Sequence, residues 1–149
     1  MNTLAKTFAT AALIAVSTFT MAAGKPAGDN STKATVNLST ADLAIDHYVA
    51  VMIEGQSAGV DQLFTPDFSQ KVHASNDQTN RRSEVISFLK KQKGEQLNCK
   101  TSTTIVEQSS DYMLAKVTMQ FEGFTKIDLV TLVNDGGKWK VSQSINSYK

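Results

Sequence analysis

From residue 39 onward the spacing of apolar residues changes once, from three-and-four to two. Ala41, Ile45, Tyr48 and Met52 recur at helical spacing and share one face. Ser39 or Thr40 can cap that helix by accepting a bond from an otherwise unpaired N–H, and Asp42 suits its positive end. Gly55 ends it. Val60, Leu63 and Phe64 predict a second, short helix, stopped at Thr65-Pro66 because proline disfavours helix for the residue before it. Residues 68–73 read as a short strand and 74–79 as a polar loop. Asn80 caps a third predicted helix, with Val85, Phe88 and Leu89 as its buried stripe and Gly94 as its end.

Beyond that point the period is two. Residues 99–108, 112–122, 125–133 and 138–148 alternate or run apolar and are rich in Val, Ile, Thr and aromatics. Ser109-Ser110-Asp111, Glu122-Gly123 and Asn134-Asp135-Gly136-Gly137 separate them with turn chemistry. Successive hairpins predict an antiparallel sheet. Met113, Ala115, Val117, Met119 and Phe121 fall on one face of their strand, Lys116, Thr118 and Gln120 on the other. The apolar face is the one to receive the three helices. Helices gathered on one side of an antiparallel sheet define an α+β domain.

The first residues read as an export signal rather than as structure. Lys6 supplies a positive start, residues 7–19 are apolar and alanine-rich without charge, and cleavage is expected after Ala22 or Ala23. The stretch is shorter than the roughly 20 apolar residues that span a bilayer, and threonines and Ser17 interrupt it. No stable membrane span is therefore expected after cleavage. Its style is bacterial, which places the product in a periplasm or outside the cell. Residues 23–38 are small and polar and read as a flexible leader, with one domain over 39–149. The chain carries 15 basic and 14 acidic residues, and loss of Lys6 with the signal leaves the two equal. A neutral chain without a basic stripe gives no footprint for nucleic acid.

Chemistry-bearing residues are few. Cys99 is the single cysteine, so no internal disulfide is possible. The two histidines, His47 and His73, have no clustered carboxylate or cysteine at a metal-ligand spacing, so neither a metal nor a cofactor is expected. His73, at the end of a strand, is the better proton carrier, since an imidazole can shuttle protons near neutral pH. On the last strand, alternation puts Trp139, Val141, Gln143 and Ile145 on one face, with Gln143 as its polar interruption.

The run from Tyr48 to Phe68, with its glycine stop at Gly55, its Leu63-Phe64 pair and its Pro66, resembles the NTF2-like superfamily, as does the terminal strand with Lys138-Trp139-Lys140-Val141. The resemblance covers about residues 40–148. It implies a cone of three helices on a curved antiparallel sheet, with a pocket and frequently a dimer formed through the sheet. Small exported members of this kind are described as SnoaL-like or lumazine-binding-like. Within the superfamily, Tyr48-Val49-Ala50 is similar to the motif of ketosteroid isomerase whose tyrosine donates to a substrate oxyanion. Carried along that resemblance, the isomerase's general-base aspartate falls on Val72, and the protonated aspartate of its oxyanion hole falls near Leu129. His73 and Asp128 are each one residue away, and in a strand one residue is the opposite face.

Three functions remain open on this reading. The first is a non-catalytic exported domain that holds a small apolar ligand in its cone, or dimerises through its sheet, or both. Its expected pocket residues are Tyr48, Met52, Val72, Phe88, Met119, Leu129, Trp139 and Gln143. The second is a SnoaL-like or isomerase-like enzyme with Tyr48 as oxyanion donor and His73 as base. The third is an interaction module whose cone is filled by its own side chains.

Overall fold

The structure, a computed structural model, describes residues 35–149. The expected signal segment and most of the leader lie outside the described residues. Val36 and Leu38, ahead of Ser39, pack into the domain. Leu38 is buried, and its carbonyl accepts the Trp139 N–H at 2.8 Å.

Helix α1 (Ala41–Ile53) starts where the Thr40 hydroxyl accepts the Leu43 N–H at 3.2 Å, with Asp42 in the first turn. Ala41, Ala44, Ile45, Tyr48 and Val51 form its buried face. After Gly55 the chain enters α2 (Val60–Leu63) and passes directly into strand β1 (Phe64–His73). The strand thus begins four residues before Phe68. Pro66, which has no N–H to donate, is accommodated by an irregularity in pairing between Phe64 and Ser69.

Residues 78–81, read from sequence as loop and helix cap, form strand β2 (Gln78–Arg81), antiparallel to β1. Asn80 does not cap the next helix; its amide bonds across to Gln70 instead. Helix α3 (Arg82–Lys91) begins two residues later, where the Glu84 carboxylate accepts the Arg81 N–H at 2.6 Å. Polar Gln-Thr-Asn carries no apolar alternation, so only the free edge of β1 makes this segment a strand.

Strands β3 (Lys100–Gln108), β4 (Tyr112–Gln120), β5 (Thr125–Asp135) and β6 (Lys138–Tyr148) follow as hairpins. The sheet order is β2-β1-β6-β5-β4-β3. All neighbours are antiparallel except β1 and β6, which run parallel. A purely antiparallel sheet was expected; the parallel pair arises because α3 and the segment after it carry the chain from one edge of the sheet to the other.

The core lies between the helices and the inner sheet face. Met113, Ala115, Val117 and Met119 of β4 are fully buried there, against Leu63, Val51 and Ile45. Residues directly opposite share a face. Val117 pairs with Asp128 and Met113 with Leu132, so the inner positions of β5 are Lys126, Asp128, Val130 and Leu132. In β6, pairing slips between Thr131 and Leu132, leaving Ser142 as an extra residue. That bulge reverses the alternation. Trp139 and Val141 face inward before it, and Ser144 and Asn146 face inward after it.

Two glycines separate backbone strain from crowding. Gly55 (φ 70°) has no room for a side chain, since an added Cβ would lie 2.6 Å from the Glu95 backbone N and O. Gly136 (φ 61°) has open space around it. Both alanine variants should carry the left-handed conformation's cost of roughly 1–2 kcal/mol. Gly55→Ala is expected to lose clearly more than Gly136→Ala in urea unfolding, because backbone must also move.

Candidate functional site

The inner face of the sheet is uneven in chemistry. The inner face of β4 and the first half of β6 is apolar, whereas Gln70 of β1, the second half of β6 and the start of β5 are polar. Helices α1 and α3 cover the polar part incompletely and leave a cavity of about 540 Å³. Val51 and Met52 of α1, Val85, Phe88 and Leu89 of α3, and Val72 of β1 form apolar walls. Phe121, Phe124 and Tyr148 stand at the rim, with the first two rings stacked 4.6 Å apart. Gln70, Gln78, Asn80, Lys126 and Asn146 supply the polar side.

Next to the cavity lies a buried charge network. Asp128 is 0% exposed, and its Oδ2 accepts from the Tyr48 hydroxyl at 3.1 Å and from Lys126 Nζ at 3.2 Å. Its Oδ1 meets no donor among the described residues. Burial raises the Asp128 carboxyl above its ordinary value, against the Lys126 ammonium and the two hydrogen bonds, which pull it down. Burial, then the neighbouring Asp128 charge, hold the Tyr48 phenol well above its own ordinary value. Ser144 is close enough to oppose that shift, although its hydroxyl makes no well-aligned bond.

The sequence-predicted residues separate into three groups. Met52, Val72 and Phe88 line the cavity. Tyr48, Met119 and Trp139 are buried in the core, and the Tyr48 hydroxyl is engaged by Asp128 rather than offered to the cavity. Leu129, Gln143 and His73 face the other way. Leu129 is 36% exposed and pairs with Ile145 on the outer face, because the β4–β5 hairpin puts Asp128 inward in its place. Gln143 pairs with outward Thr131, since the Ser142 bulge has reversed the strand. His73 follows inward Val72 and so points outward; its ring is half-exposed and bonds Asp77 Oδ1 at 3.0 Å. His47 is partly buried, with burial lowering its titration, and does not line the cavity. Among the described residues, no three His, Cys, Asp or Glu side chains gather as a metal site.

Lys126, Asp128, Gln70, Asn80 and Asn146 are missing from the sequence-based site. For the first two a signal existed. Counting both ways from the Glu122-Gly123 turn pairs Gln120 with Thr125 and Val117 with Asp128, which puts the carboxylate on the Met113–Met119 face. No comparable signal marks Asn146, because the bulge that turns it inward follows no turn residue.

A model of the family described as "Putative lumazine-binding" matches residues 37–145. No curated protein matches the chain. Among solved structures, an NTF2-like protein of unknown function from Silicibacter pomeroyi is similar at 17% identity and TM-score 0.59, over 72% of this chain and 90% of that one. An NTF2-like protein of unknown function from Methylobacillus flagellatus aligns at 15% identity and TM-score 0.58, over 78% and 98%. A protein from Parabacteroides distasonis described as a putative ketosteroid isomerase aligns at 10% identity and TM-score 0.55, over 77% and 92%. At these identities the likeness is one of fold: α+β and NTF2-like.

The buried carboxyl gives a pH signature. Between the ordinary carboxylate value and Asp128's raised one, the folded chain holds a proton that the unfolded chain has lost. Stability from this group is therefore full in acid and declines as pH rises through that window. Relative to Asp128→Asn, the unaltered protein should lose unfolding free energy from about pH 4 upward. Urea titrations of both proteins across that range check this; a constant difference between them would contradict it.

Proposed function

The chain belongs to the family described as putative lumazine-binding, within the NTF2-like proteins, and we propose that it is an exported binding domain that holds a small, largely apolar molecule in its cone. The observation that carries this reading is the cavity itself. Its volume of about 540 Å³ lies inside the roughly 300–1,000 Å³ range of small-molecule sites. Its apolar walls come from α1, α3 and β1, with polar groups from β1, β2, β5 and β6 and from Glu84, Gln92 and Glu95 on and after α3. The export signal at residues 1–22 supports a periplasmic or extracellular location.

Binding is favoured over turnover by what stands at the positions an isomerase would need. Proton abstraction beside a carbonyl requires a base near the carbon and a donor at the oxygen. By the resemblance to ketosteroid isomerase the place of the base falls on Val72, and the adjacent His73 is turned to solvent with Asp77. Tyr48 donates to Asp128 instead of to a guest. The family description suggests the first guest to try, a lumazine: a flat bicycle whose ring faces suit the Phe88, Val72 and Leu89 walls and whose carbonyl and N–H edge needs the polar groups of the lining.

The outer sheet face supports self-association as a second element of this reading. Leu129 and Ile145 stand opposite each other there, with Ile127 one step along. Pairing of two copies through this face would cover them.

Two measurements test these readings. A soluble lumazine titrated into the purified protein should show a saturable rise in fluorescence anisotropy. Met52→Trp, which fills the cavity, should weaken it by at least about tenfold with the fold retained by circular dichroism. Unchanged affinity in the filled variant would refute binding in the cone. Light scattering should give twice the chain mass for the unaltered protein and a single chain mass for Leu129→Lys.

A further inference from the structure

Three side-chain amides follow one another along the inner face of β2 and β1. Gln78 Nε2 donates to Asn80 Oδ1 at 2.7 Å, and Asn80 Nδ2 donates to Gln70 Oε1 at 3.0 Å. Each bond orients the next amide, so the run ends on the Gln70 nitrogen, whose hydrogens remain available at the cavity wall. Gln70 is only 7% exposed.

One strand away stands a group with the opposite need. Gln70 pairs with Ser144, and Asn146 lies two residues further on the same face, level with Val72. Asn146 is 3% exposed and lines the cavity, and its Oδ1 meets no donor among the described residues. A buried carbonyl without a donor is costly, and buried polar groups in native proteins are overwhelmingly paired. The fold nevertheless presents, on neighbouring strands and two residues apart in register, an amide nitrogen with no partner and an acceptor with no donor among the described residues, both belonging to almost fully buried residues of the cavity wall.

We propose that Gln70 and Asn146 form a subsite for the cis-amide edge of a cyclic lactam or ureide. The guest's N–H donates to Asn146 Oδ1 while its adjacent carbonyl accepts from Gln70 Nε2. Turning all the amides over exchanges donor and acceptor together, and a cis-amide read in the other direction matches that arrangement equally well. Gln78 and Asn80 are positioning residues, holding Gln70 in its orientation. The apolar ring of the guest rests on Val72, which stands between Gln78 and Asn146, and on Leu89 of α3. This deepens the container reading above, and rests on it, by assigning the guest's hydrogen-bonding edge.

Isothermal titration with three ligands of one outline separates the two readings: a benzo-fused six-membered lactam, its N-methyl derivative and a water-soluble naphthalene. A site built to hydrogen-bond a guest discriminates strongly against an analogue lacking the matching group. The lactam should therefore bind at least about tenfold more tightly than the N-methyl compound. In Asn146→Ala that preference should collapse, leaving both compounds near the weaker affinity. Equal affinity of the unaltered protein for the two lactams overturns the subsite, as does binding of the naphthalene alone; the container reading survives either result. Binding of none of the three overturns both.

Discussion

Asp128 is a carboxylate removed from water on the inner face of the sheet, and its satisfaction constrains much of the structure around it. A buried charge without partners costs several kcal/mol in order of magnitude. Two groups offset that cost: the Tyr48 hydroxyl from α1 and the Lys126 ammonium from the same strand. The first ties α1 to β5 at a fixed height, which in turn sets where Val51 and Met52 stand over the sheet. The second keeps a long basic side chain folded inward along the cavity wall rather than extended to solvent. Both bonds fall on Oδ2 and leave Oδ1 unpaired, so the network is incomplete as the protein stands. Incomplete buried networks are where stability gives way to function.

The bulge at Ser142 supplies the other constraint. Without it, β6 would continue the face of Trp139 and Val141, and Gln143 and Ile145 would point inward. With it, Ser144 and Asn146 do so. One extra residue thus divides the inner surface into an apolar half that packs against α1 and a polar half that borders the cavity. The parallel pairing of β1 with β6 brings Gln70 and Val72 alongside that polar half, and β2 adds Asn80 and Gln78. Four amides of the wall, Gln70, Gln78, Asn80 and Asn146, come from these three neighbouring strands, and Gln92 joins them from the end of α3.

The arrangement joins stability to function in a single geometry. Met113, Ala115, Val117 and Met119 pack tightly at the centre of the sheet, and the cavity opens beside them, walled by α1, α3 and β1. Phe88 illustrates the consequence. It belongs to the apolar stripe of α3 by spacing, yet it is 58% exposed and stands at the cavity wall.

The chain's own pattern determined most of the architecture: a helix capped at Thr40 and stopped at Gly55, four strands parted by Ser109 to Asp111, Glu122-Gly123 and Asn134 to Gly137, and the inward set of β4. These are local properties, governed by period, capping and turn chemistry, and they survive in any context that offers a core. The candidate site was legible only in part, through Met52, Val72 and Phe88. Which side of a strand faces the cone is not local when both parities are apolar, as in β5, where Ile127, Leu129 and Val133 compete with Val130 and Leu132. Nor is it local when a bulge interrupts the count, as in β6. Tertiary pairing decided those cases, because a cross-strand partner constrains a residue's face more strongly than its own neighbours do. It turned Asp128 and Asn146 inward and Leu129 and Gln143 outward, and with them set the chemistry of the cavity.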